Sequence, residues 1–151
     1  MKAKSLSWLL AISFLPTPIL LAADPPAPTK EMAVQHLQAF LAVLDTRDFD
    51  KALTFVAPIP DLTPEDKKKM MQRMAEAREL TKPGIEILAA KGQWGKLTAV
   101  RPDKAEAWAQ KFKVPPEQCY ALSYEGAEAA FHFDGKSLKI IRCDDIGKLK
   151  K

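Results

Sequence analysis

Apolar residues change their spacing twice along the chain. They run almost unbroken from Leu6 to Leu21, recur at helical intervals from Ala33 onward, and alternate with other residues beyond Cys119. Lys2 and Lys4 precede the first run, Ser7, Ser13, Pro16, Thr17 and Pro18 interrupt it, and the small pair Ala22-Ala23 follows. Cations, a short apolar stretch and small residues in that order read as a secretory signal peptide over residues 1–23. A spanning helix needs about 20 predominantly apolar residues, and Pro16 and Pro18 would each break one. Absence of a cysteine after the run argues against a lipoprotein anchor. Cleavage after either alanine leaves a leucine at the −3 position, so the cut site stays open.

Residues 24–28, Asp24 to Pro28, form a stiff Pro-rich leader without apolar periodicity. A single domain over residues 29–151 is expected to follow. Thr29 is placed to cap a first helix, whose Ala33, Leu37, Phe40, Leu41 and Leu44 make one stripe. Asp48 is placed to cap a second helix through Val56, burying Phe49, Ala52, Leu53 and Val56, with Pro58 and Pro60 ending it. Thr63-Pro64 with Asp66 forms a capping box for a third helix to about Leu80. Residues 83–92 fit either period: Ile85 and Ile87 alternate, whereas Ile85, Leu88 and Ala89 share a helical face. A short separate helix is the preferred reading. Lys96 to Val100 fits a strand, and Asp103 is placed to cap a helix carrying Ala105, Trp108, Ala109 and Phe112.

Turn signals at Glu125-Gly126 and Asp134-Gly135 separate three alternating segments, 118–124, 127–133 and 136–142. Tight turns put Tyr124 opposite Ala127 and Phe133 opposite Lys136. Tyr120, Leu122, Tyr124, Ala127, Ala129, Phe131, Phe133, Leu138 and Ile140 then share one face, as a buried face requires. The expected fold class is therefore α+β, with N-terminal helices packed on a curved antiparallel sheet that ends in a three-strand meander. Cys119 falls opposite His132 and Cys143 opposite Gly126. About six residues of strand, roughly 20 Å, separate those levels, and a disulfide needs Cα atoms within about 7 Å. No bridge between Cys119 and Cys143 is expected, despite an exported setting that favours one.

Charge narrows the partners. The chain has 23 Lys and Arg against 19 Asp and Glu; loss of the leader removes two lysines and leaves a nearly neutral domain. Nucleic acid is not an expected partner. Lys67, Lys68 and Lys69, and the tail lysines Lys148, Lys150 and Lys151, read most simply as solvated surface. No cofactor is expected. Two cysteines and two histidines, His36 and His132, lie at no zinc-binding spacing, so no metal site is expected. Met70, Met71 and Met74 suit soft core filling better than copper.

Three helices before an antiparallel sheet, with an acidic turn Asp45-Thr46-Arg47-Asp48 introducing the second, resemble the nuclear-transport-factor-like superfamily, which includes ketosteroid-isomerase-like cones. The resemblance covers residues 29–146 and looks most like the superfamily's uncharacterised exported members. It implies a pocket between helices and sheet, serving as a binding site, an interaction module or an active site. The inward face supplies Phe40, Tyr120, Tyr124 and Phe131 as candidate ligand-binding residues and offers no carboxylate. An exported, periplasmic or secreted non-catalytic binding domain is the expected function, with an unknown small molecule or an envelope protein as partner. The alternative is a small hydrolase or isomerase using Tyr120 or Tyr124 with an unplaced acid. Outward residues Cys119, Ala121, His132, Lys139, Ile141 and Cys143 leave room for a homodimer.

Overall fold

The computed structural model describes residues 25–149, so the signal peptide expected over residues 1–23, Asp24 of the leader, and the tail lysines Lys150 and Lys151 lie outside the described residues. Thr29 caps α1 (Lys30–Asp45), its Oγ1 accepting from the Met32 amide at 3.3 Å. All five stripe residues named above are buried. Asp48 caps α2 (Phe49–Leu53) through the Lys51 amide at 3.0 Å. The second helix ends three residues earlier than expected. Thr54 and Phe55 turn out of it so that Val56 can pair in parallel with Ile140; Ile140 N donates to Phe55 O and Ala57 N to Ile140 O, both at 2.8 Å.

The third helix, α3 (Pro64–Lys91), begins at the expected capping box: Asp66 N donates to Thr63 Oγ1, which donates to Asp66 Oδ2 at 2.7 Å. It does not stop at Leu80. Residues 83–91 continue the same helix, with Pro83 inside it. An interior proline costs about 3 kcal/mol, and packing opposes that cost here, because Gly84, Ile85, Ile87 and Leu88 are all buried. Gly84 permits the closest approach. A Cβ there would collide with the Ile146 carbonyl, since the turn Ile146–Lys148 lies directly on the helix.

Strand β1 (Gln93–Lys96) starts earlier than expected, and α4 (Leu97–Val100) is a helical turn where a strand was predicted. Leu97 is fully buried on the far side of the sheet, which requires the chain to leave the strand there. α5 (Pro102–Phe112) follows. Asp103 lies in its first turn and is not its cap; the carboxylate pairs with Arg101 at 2.8 Å.

β2 (Cys119–Tyr124), β3 (Ala127–Phe133) and β4 (Leu138–Asp144) complete an antiparallel sheet in the order β1-β2-β3-β4. The fold is α+β. The first hairpin has the expected register, Tyr124 opposite Ala127 and Cys119 opposite His132. The second does not: Phe133 pairs with Leu138, because Asp134 Oδ1 accepts from Lys136 N (2.8 Å) and Ser137 N (2.7 Å) and folds a longer loop. A shift of two keeps Leu138 and Ile140 on the inward face. A bulge beside Ala130 and Phe131 then re-aims the rest of β4. Ile141 joins the outer cluster, and Cys143, opposite Ala129 and not Gly126, packs against the inner core.

The sheet is covered on both sides. α1, α2 and α3 lie on the inner face, where Leu37, Leu44, Met71, Leu88, Leu122 and Phe131 form the main core. α4 and α5 cover the outer face, where Leu97, Trp108 and Phe112 meet Cys119, Ala121, Ala130 and Ile141. Those outward positions are therefore buried within the chain and do not form an open surface. Pro28, at the end of the Pro-rich leader, is buried as well, its carbonyl accepting from Trp94 Nε1 at 3.1 Å.

Candidate functional site

The four candidate ligand-binding residues do not converge. Phe131 is fully buried, edge-on to Trp94. Tyr120 stacks on Trp94 with ring centroids 5.6 Å apart, under the Lys96 ammonium. Tyr124 lies beneath Lys91 Nζ at 5.6 Å. Tyr120 also borders a polar-rimmed hollow of about 490 Å³ with Lys96, Glu117 and Asp134, whereas Phe40 lines an apolar cavity of about 390 Å³ between α1, α3 and the C-terminal turn; Leu37, Leu44, Leu80, Ile85 and Ile146 are among its other walls.

A second cavity of about 460 Å³ opens between α3, the 56–62 segment, the end of α5 and β4. Val56, Ile59, Leu62, Met70, Phe112 and Ile140 supply its apolar lining. Met74 and Cys143 line both cavities. The helix spacing of Met70 and Met74 signalled an apolar stripe, but not that two half-buried thioethers would face open space. Cys143 could not be found from strand alternation, because the bulge places it there.

The titratable groups are held by local partners. His36 bonds Phe55 O through Nε2 at 3.1 Å and rests against the Phe55 ring. Burial, reinforced by the Lys139 charge, lowers its pKa against that bond. His132 bonds Gln118 Oε1 at 2.9 Å, and burial lowers its pKa too, with Asp134 opposing. Cys119 and Cys143 are free thiols on opposite faces. Burial pushes the Cys119 thiol up to about 11 and the Cys143 thiol up to about 12. Asp45, in the acidic turn, pairs with Arg78 and with Lys82 Nζ at 3.2 Å, which lowers its pKa and ties α1 to α3.

Glu128 is fully buried on β3. Its carboxylate meets Arg101 Nη1 at 2.5 Å and Lys104 Nζ at 2.6 Å. Arg101 also chelates Asp103, and Lys104 and Arg142 lie over the Trp108 ring at 5.2 and 5.4 Å. This network fastens α5 to the outer face. Alternation along β3 correctly puts Glu128 outside the main core, but the α4-α5 excursion that buries it leaves no mark in that alternation. Among the described residues, no group of three or more His, Cys, Asp or Glu could hold a metal ion. No helix among them is long and apolar enough to cross a membrane. No family model matches the chain, and no curated protein or solved structure matches it.

Proposed function

We propose that this chain is an exported, non-catalytic domain that binds an apolar small molecule. The observation that carries the reading is the pair of apolar cavities meeting at Met74 and Cys143, each within the roughly 300–1,000 Å³ of small-molecule sites. Export rests on the leader's charge and apolar pattern. A hydrolase or isomerase needs a titratable group beside its substrate. The acids beside the cavities, Asp61 and Asp145, are exposed at their rims, and the buried carboxylate, Glu128, lies on the far side of the sheet, ion-paired to two cations. Helices preceding an antiparallel sheet support the nuclear-transport-factor-like resemblance as part of the same proposal, with the pocket moved from the tyrosine face toward α3 and β4.

Nile red, an uncharged dye that brightens in apolar surroundings, tests the reading. Saturable one-to-one enhancement is expected, lost in Met74→Trp, which would fill the junction. Absence of saturable binding by the folded protein would sink the proposal. Mass measurement of the protein from its exported compartment tests the leader; retention of residues 1–23 would overturn export by cleavage.

A further inference from the structure

The junction at Met74 extends further than two cavities. A third hollow of about 490 Å³ shares Leu62, Met70 and Met74 with the second cavity and adds Lys69, Arg73 and Ala77 on the exposed side of α3. Met74 lines all three spaces, so they adjoin at one methionine and together make a trough along α3. Methionine suits such a place, being unbranched and able to adapt to varied apolar shapes.

The rim of this trough is positive. Lys69 and Arg73 stand on the α3 side and Lys111 on the α5 side, and none has a carboxylate within ion-pair distance among the described residues. Arg142 also borders the trough but is bonded to Asp144 at 2.7 Å. Three acids border the trough. Asp145 is paired with Lys148 at 2.8 Å, which leaves two acids without an ion pair, Asp61 and Asp66, the latter hydrogen-bonded to the Thr63 hydroxyl at 2.7 Å, against three such cations.

From an apolar channel with a cationic lip, we infer that the ligand is a long-chain carboxylate. This inference rests on the apolar-ligand reading and names its ligand class. The acyl chain lies along Met70, Met74, Ile59 and Ile140, and the carboxylate sits at the lip, exposed to water, where Lys111, Lys69 and Arg73 attract it. A single chain matches spaces of this size better than a folded partner does.

Titration calorimetry with palmitate and with hexadecanol, both below their aggregation concentrations, separates the two readings. Palmitate is expected to bind one-to-one and about tenfold more tightly than the alcohol, since three solvent-screened charge contacts supply about that factor. Lys111→Glu combined with Lys69→Glu and Arg73→Glu, all exposed positions, is expected to abolish the preference while hexadecanol binding persists. Removing two methylenes from the chain is expected to weaken binding about tenfold. Equal affinity for acid and alcohol overturns the carboxylate assignment and leaves the apolar-ligand reading standing. Failure of both, together with failure of Nile red, overturns both readings. Binding to phosphatidylglycerol vesicles without binding to monomeric palmitate overturns the assignment in favour of an anionic membrane surface.

Discussion

Glu128 makes the sharpest claim about a single residue. Truncating a fully buried carboxylate between Arg101 and Lys104 leaves Lys104 without a carboxylate and Arg101 with Asp103 alone, and breaking a buried pair costs about 3–5 kcal/mol. Because both cations are partly solvated, Glu128→Ala is expected to lower the unfolding free energy by about 3 kcal/mol, at the low end of that range. Urea denaturation checks it; a loss below about 1 kcal/mol would show that the network contributes little. His36 sets a pH dependence. Its folded pKa lies below the unfolded value because burial disfavours the charged ring. The unfolded chain therefore binds the proton first, and stability present above the ordinary histidine pKa falls as pH drops through it and on to the lower folded value. Melting curves between pH 8 and pH 5 should show that decline, and a smaller decline in His36→Gln. His132 shifts in the same direction and accounts for part of what remains.

Among the elements, α3 departs most from its sequence pattern. Pro83 marks a helix boundary by local rules, yet the helix continues because the residues after it pack on both the core and the C-terminal turn. Gly84→Ala tests that packing. Its new Cβ would meet the Ile146 carbonyl, so the variant should lose about 2 kcal/mol, in the range of overpacked cores. Hydrogen exchange should quicken in residues 146–149 before it does in β2. The second hairpin carries a related lesson: Asp134-Gly135 is a valid turn signal, but the Asp134 carboxylate captures two later amides and lengthens the loop. Hydrophobic alternation survives a shift of two, and so could not report it.

At the scale of the molecule, the two clusters on opposite faces of the sheet make α5 a cover for what would otherwise be an apolar surface. Trp108 is the largest side chain in that cover. Trp108→Ala is expected to cost about 3–4 kcal/mol and to uncover Ala121, Ala130 and Ile141. Sedimentation velocity should then show concentration-dependent self-association absent from the parent protein. A variant that stays monomeric would mean that α5 still covers the sheet without its indole. The same layering directs the proposed ligand toward the apolar open space between α3, α5 and the edge of β4.

The sequence alone determined what depends on local chemistry and on period. Thr29, Asp48 and Thr63 cap their helices because a side-chain oxygen three residues from an unpaired amide acts within one turn. The Glu125-Gly126 hairpin kept its register because Gly126 accepts the positive φ of a tight turn and its flanking residues alternate cleanly. Tertiary structure alone decided the rest: α3 running through Pro83, the bulge that turns Cys143 inward, the burial of Glu128, and the meeting of distant side chains at Met74. Each arises from contacts between segments far apart in the chain, whose packing outweighs local preferences of a few kcal/mol.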